Sequence, residues 1–394
     1  MFKKIAIGIS GGVDSAVAAL LLKRANYQVE GVFMRNWDGN YELGFCSDEK
    51  DYEDASFTCR KLDIPLHRVH FIKEYWNEVF TVLLKEYEMG LTPNPDILCN
   101  RYIKFDSFFE HCRVNLAVDA IATGHYANTS FGPFLKNYKE DEGVRLLQPI
   151  DKHKDQTFFL SQVKQFSLRR CMFPIANLLK SEVREIARKE GLLQVANKKD
   201  STGICFVGKR RFKDFIDEVW FILTNTIMKY DLIYKTFFCF IPSKPGLFID
   251  IDTGQTVGEH TGIHKWTVGQ RCCLSNCKQP YFVFNKHLEK NYIYVVAGTH
   301  HPAIWNNLCF TQKPHWINEE PQELTNNNVL YCSFRFQHTK PLVHCKVTKN
   351  PEGLTIILLD KLRALTEGQF GVFYRQEECL GSAKIKNVCH NILY

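Results

Sequence analysis

Residues Lys4 to Ile9 form an apolar run that ends at Ser10-Gly11-Gly12, and from Ser15 to Arg24 the apolar positions recur at helical spacing. The chain is therefore expected to open as strand, glycine turn and helix. Val29 to Met34 and Leu66 to Phe71 read as further short strands, with helices over Asp51 to Leu62 and Asn77 to Met89, the latter closed by Gly90. Asp119 to Thr123 is another strand, ending at Gly124-His125, and Gln156 to Val163 and Ser181 to Gly191 have helical spacing. Alternating strands and helices predict a parallel sheet covered on both faces. In such sheets ligands sit outside the carboxyl ends of the strands, where Ser10 to Ser15, Met34 and Gly124-His125 fall.

Past Pro245 the pattern changes. Gly246, Gly254, Gly258, Gly262 and Gly269 punctuate short segments rich in Val, Ile, Thr and aromatics, and the alternation in Tyr331-Cys332-Ser333-Phe334-Arg335-Phe336 continues a β signal. The expected architecture is an α/β parallel-sheet domain over residues 1–207, a small β-rich central domain over 208–298, and a C-terminal β-barrel over 299–394. A length of 394 residues agrees with more than one domain.

Composition narrows the class. Hydrophobic residues at 45% and charged residues at 24% are those of an ordinary globular protein and do not indicate intrinsic disorder. A net charge of +7 suits a polyanionic partner. The fifteen cysteines include no C-x-x-C pair, so no structural metal site is expected, and their thiols are read as reduced. Met1-Phe2-Lys3-Lys4 passes straight into the first strand, so neither a signal peptide nor a transit segment is read there. The most apolar stretch, Val219 to Ile241, is interrupted by Lys229, Asp231 and Lys235, and no membrane partner is expected.

The string Ser10-Gly11-Gly12-Val13-Asp14-Ser15 has glycines that let backbone approach a phosphate at a helix N-terminus. No Gly-Lys-Ser/Thr follows, so it is not a Walker loop; it matches the SGGxDS loop of the ATP pyrophosphatase (PP-loop) group. The plain alternative is a tight strand-to-helix turn with a capping serine. Two cysteines lie in polar, turn-like contexts. Cys99 follows Thr92-Pro93-Asn94-Pro95-Asp96-Ile97-Leu98, where two prolines stiffen an exposed turn before a helix starting near Arg101, and Cys205 ends Lys199-Asp200-Ser201-Thr202-Gly203-Ile204. A thiolate or persulfide there would serve as a nucleophile, although most free cysteines are small buried hydrophobes.

Taken in order, the segments GISGGVDSAVAALLLKR, GVFMRNWD, KEYWNEVF, TPNPDILCN with IKF, DAIATGHYA, KDQTFFLSQV, STGICFVGKR, TVGQR and GQFGVFY span nearly the whole chain. They closely resemble the tRNA-specific 2-thiouridylase family, in its animal mitochondrial branch. The resemblance implies an ATP site lined by Gly8, Ile9, Ser10, Gly11, Gly12, Val13, Asp14, Ser15, Met34 and Gly124, with Mg2+ accompanying the nucleotide. It implies that Asn94, Pro95 and Asp96 contact the target base, with Asp96 as an acid/base group, that Cys99 is a nucleophile, and that Cys205 carries persulfide sulfur to uridine C2. A Cys99–Cys205 disulfide would result. His125, Lys154, Asp155, Gln156, Arg335, Phe336 and Gln369 match positions that touch tRNA in the family. The implied partners are tRNA, those for Lys, Glu and Gln among them, and a persulfide donor such as a cysteine desulfurase or sulfur-relay protein; the implied compartment is the mitochondrion.

Alternatives remain at this level. His125 also reads as a satisfied strand-end histidine, and Lys154 and Arg335 as solvated charges. Arg335 beside an aromatic is equally what stacking and phosphate pairing with single-stranded RNA would use. Sibling enzymes of the loop group, an amidotransferase-type synthetase or a lysidine-type ligase, carry the same loop but need neither cysteine, and a catalytically silent RNA-binding homologue would keep only the fold. Two departures from the family pattern stand out: the segment Trp220 to Phe240 has no counterpart, and Cys272-Cys273-Leu274 follow TVGQR.

Overall fold

The computed structural model describes residues 2–37, 47–200, 244–274 and 277–390. Cys205, the apolar segment 220–240 and the expected boundary at 207/208 lie outside these residues.

The first unit is built on a five-stranded parallel sheet. Strand β1 (Lys4–Gly8) sits at its centre, flanked on one side by β2 (Gln28–Arg35) and then β3 (Leu66–His70), and on the other by β4 (Ala120–Ala122) and then the short strand Cys171–Met172. The strand order reverses between β1 and β4, which makes the end of β1 the topological switch point. Helix α1 (Val13–Arg24) leaves that point with its inner face buried through Ala16, Val17, Ala18, Ala19 and Leu22. Helix α2 (Ser47–Leu62) follows β2, and a continuous helical stretch from Ile72 to Glu88 contains a π-helical turn at Trp76–Phe80 before Gly90 ends it at positive φ.

Gly246 to Ala297 contain a second sheet, antiparallel except where Tyr292–Ala297 runs parallel to Gly246–Asp250. Its small core includes Phe248, Val283, Ile293 and Val295. In the third unit six strands close on themselves, because Trp305–Thr311 pairs both with Gly353–Arg363 and with Glu378–Val388. The three expected layers are thus present.

The barrel is not self-contained. Its sheet continues into the first unit through Leu146–Leu147, which pairs with Glu378 and Cys379, and Asn128–Thr129 beyond it. Phe370, Val372, Tyr374 and Cys379 of the barrel share a core with the parallel-sheet unit. Gln162 Nε2 donates to Ser382 Oγ at 2.8 Å, and Lys286 of the second unit donates to Gly90 O at 3.0 Å. Among the described residues no helix is long and apolar enough to cross a membrane.

Candidate active site

Gly11 adopts φ +70°, and a Cβ there would sit 2.3 Å from Asp51 O. The left-handed turn and this close approach let the chain fold from β1 into α1 through the short turn at residues 9–12. Ser15 Oγ donates to Gly12 O at 3.0 Å and accepts from Ser10 N at 3.2 Å, so the serine braces the loop internally. Gly124, at the end of β4, packs directly on this loop: a Cβ would lie 2.6 Å from Ser15 N. Gly8 faces Met34, whose Cε would be 3.2 Å from an added Cβ. The candidate nucleotide residues Gly8 to Ser15, Met34 and Gly124 therefore meet at the switch point. Gly124→Ala is expected to displace the loop and reduce nucleotide-dependent AMP release by about 100-fold, the scale of a misplacement of about 1 Å; measuring AMP release from the purified variant checks this.

Cations gather around the loop from far along the chain. Lys180 Nζ lies 2.8 Å from both carboxylate oxygens of Asp14 and 3.0 Å from Asp200 Oδ1. Tyr126 OH donates to Asp14 Oδ1 at 3.0 Å. Lys154 Nζ and Arg184 Nη2 also bind Asp200, at 2.8 Å and 2.6 Å. Burial alone would raise the Asp200 carboxyl, but the hydrogen bonds from Lys154 and Lys180 outweigh it and bring it down to about 2. Lys198 Nζ donates to Gly11 O at 3.0 Å and to Asp51 and Asp54 at 2.6 Å each. No sequence motif marks Lys180, Lys198, Asp51 or Asp54; Tyr126 and Asp200 stand in the sequence only as members of longer segments, DAIATGHYA and the loop before Cys205.

The second cluster lies on the segment from Asn94. Asn94 Oδ1 accepts from Ile97 N at 3.4 Å and Pro95 occupies the first helical position, so a helix starts at Pro95 and continues through the π-helical stretch Cys99–Ser107 to Asn115. This corrects two expectations, a helix start near Arg101 and an exposed turn: capping starts the helix six residues earlier, and Cys99 is 4% exposed. Asp96 is half-buried, and burial raises its carboxyl against the opposing pull of Lys104. Burial, and then the same Lys104 charge, hold His125 well below the ordinary imidazole range, which favours the neutral ring; its Nδ1 pairs with Thr123 Oγ1 at 2.9 Å. No disulfide joins two described cysteines.

The remaining residues expected to touch tRNA divide by position. Lys154 sits in the cation cluster over the loop. Gln156 holds the segment after β4 in place, since its N donates to Tyr126 O at 2.9 Å and its Oε1 accepts from Tyr126 N at 2.8 Å. Gln369 Nε2 donates to Thr92 O at 2.8 Å, and Thr92 N to Glu367 O at 3.0 Å, so the barrel grips the base of the segment carrying Asp96 and Cys99. Asp155 is buried and accepts from Arg335 Nη2 at 2.8 Å, with Thr157 N at 2.9 Å on its other oxygen. Arg335 also donates to Tyr374 OH at 3.0 Å. Phe336 is 1% exposed in the barrel core. The structure therefore corrects the picture of Phe336 stacking on a base and Arg335 pairing with phosphate: the first side chain is core, and the guanidinium is held between two domains.

A doubly wound sheet with a PP-loop at its switch point, cations over the loop and a cysteine on a neighbouring helix defines a nucleotide-activating α/β enzyme with two β-rich appendages. Three family descriptions match in order: a tRNA methyl transferase HUP domain over residues 3–209, a tRNA methyl transferase PRC-barrel domain over 236–297, and an aminomethyltransferase beta-barrel domain over 306–385. The mitochondrial tRNA-specific 2-thiouridylase 1 of Drosophila melanogaster is 49% identical, with 98% of this chain and 94% of that protein aligned. The human protein of that name is 44% identical over 97% of this chain and 90% of its own length. The bacterial tRNA-specific 2-thiouridylase MnmA of Alkaliphilus oremlandii is 40% identical over 98% of this chain and 97% of its own. A solved 4-thiouridine synthetase in complex with RNA and ATP overlaps 57% of this chain and 52% of that chain at 15% identity and a TM-score of 0.31, too distant to bear on the argument.

The chain belongs to the tRNA-specific 2-thiouridylase family. It is by class a tRNA-uridine sulfurtransferase that uses ATP.

Proposed function

We propose that this enzyme adenylates the C2 oxygen of the wobble uridine in mitochondrial tRNAs for Lys, Glu and Gln and replaces that oxygen with persulfide sulfur. The observation that carries the reading is the meeting of Ser10–Ser15 with Gly124 at the switch point, where the glycines let the loop and the end of β4 pack backbone to backbone beside the N-terminus of α1, the place where a phosphate is favoured. Mg2+ needs only one or two protein carboxylates beside phosphate oxygens, and Asp14 is the loop carboxylate that would hold it.

Uridine oxygen is a poor leaving group until it carries AMP. The terminal sulfur of a Cys205 persulfide, loaded by a desulfurase or relay protein, attacks C2 and expels AMP. The Cys99 thiolate then attacks the Cys205 sulfur, releasing the thiouridine and leaving a Cys99–Cys205 disulfide that a thiol reductant reopens. Asp96 serves as the acid: its raised carboxyl keeps more of the protonated form available toward neutral pH. Asn94 and Pro95 border the base, and Gln369 steadies them from the barrel. Lys154, still paired with Asp200, presents its exposed side to the RNA backbone, while His125 and Gln156 shape the rim beside it.

Release of pyrophosphate from ATP by the purified chain, and of AMP once a persulfide donor is added, with and without tRNA, tests the adenylation step. Asp14→Ala is expected to abolish tRNA-dependent AMP release, because it removes a loop group from a site where such contacts are worth several kcal/mol. AMP release at the wild-type rate would remove the loop from the chemistry.

A further inference from the structure

The phosphate loop has no cation of its own: between Ser10 and Ser15 its polar side chains are two serines and an aspartate. A triphosphate brings several negative charges, and a Walker loop answers them with its own lysine. Here the charge arrives from 166 and 187 residues away, as Lys180 on Asp14 and Lys198 on Gly11 O.

The two lysines differ in what they hold. Lys198 is bonded to a loop carbonyl and to two carboxylates on α2, of which Asp54 is buried, so it fastens the loop backbone to that helix. Lys180 instead bridges two carboxylates, Asp14 at the start of α1 and Asp200. If Lys180 departs, Asp200 keeps Lys154 and Arg184, and Asp14 keeps the Tyr126 hydroxyl. Neither carboxylate is then stranded. Of the two lysines on the loop, Lys180 is therefore the one released at lower cost, and it lies against the loop that the nucleotide must enter.

We propose that Lys180 is the phosphate-binding cation of the ATP site, exchanging Asp14 and Asp200 for β- and γ-phosphate oxygens when the nucleotide binds, while Lys198 fixes the loop in both states. This rests on reading the loop as the ATP site. It predicts a split between nucleotides, since AMP lacks the phosphates that Lys180 takes.

Equilibrium binding of a non-hydrolysable ATP analogue and of AMP to the full chain tests it. Lys180→Met should weaken the analogue by about 10- to 100-fold, the scale of one lost charge-assisted hydrogen bond, and leave AMP affinity as it was. Lys180→Arg should recover most of the loss, and Lys198→Met should weaken both ligands together. Lys180→Gln, which keeps the polar contact to Asp200, is the second variant should the methionine form fail to fold, and the same split is expected. Unchanged analogue affinity in the folded Lys180 variants, or equal weakening of AMP, would overturn the assignment. A wild-type chain that bound neither ligand would instead overturn the ATP reading on which it stands.

Discussion

Cys99→Ser is expected to stop formation of thiolated tRNA while leaving persulfide sulfur able to load on Cys205, whereas Cys205→Ser loads none. Serine is nearly isosteric with cysteine, and position 99 is buried where the Pro95 helix passes into the π-helical stretch, so the exchange changes chemistry more than packing. A hydroxyl near neutral pH is a far weaker nucleophile than a thiolate, and losing a catalytic nucleophile costs about three orders of magnitude or more in turnover. Radioactive sulfur from a persulfide donor, followed on protein and on tRNA, separates the two variants. Equal loading of both would remove the division of labour between the cysteines, and full turnover by Cys99→Ser would remove that residue from the reaction.

The largest structural effect is expected at the ion pair between domains. Arg335 and Asp155 have side chains 9% and 2% exposed, 2.8 Å apart, and Arg335→Met would leave Asp155 buried without its cation. Removing one partner of such a pair costs about 3–5 kcal/mol, more than the pair itself contributes, because the remaining charge is stranded. Replacing both, as Arg335→Met with Asp155→Leu, should therefore recover part of the loss. Urea unfolding of the full chain measures this: the single variant should unfold at clearly lower denaturant than the double. A single variant within about 0.5 kcal/mol of wild type, the range of ordinary surface changes, would show that the clamp does not hold the barrel to the catalytic unit.

What could be read from the amino-acid sequence was local. The strand, glycine turn and helix from Lys4 to Arg24 appear where periodicity puts them, because hydrophobic spacing and a left-handed glycine are both encoded within a few residues. The two-residue strands Asn128–Thr129 and Leu146–Leu147 carry no period of their own and exist only because Glu378 and Cys379 offer them an edge. Arg335 shows the same limit. It alternates outward with Tyr331 and Ser333, as an exposed barrel position should, but the catalytic unit covers that part of the barrel and turns a surface charge into a buried clamp. At the candidate site, contiguous motifs pointed to the loop and to Cys99. The cations that complete the loop come from residues 180 and 198, on a separate helix and the segment beyond it, and an ion pair across such a separation leaves no repeat or spacing to find.

Mass spectrometry of tRNA nucleosides after incubation of the chain with tRNA, ATP, magnesium and a persulfide source tests the central claim most directly. The account predicts a sulfur-for-oxygen mass gain on the wobble uridine that requires ATP and disappears in Asp14→Ala and Cys99→Ser. Unmodified uridine under conditions where the chain is folded and binds ATP and tRNA would contradict it.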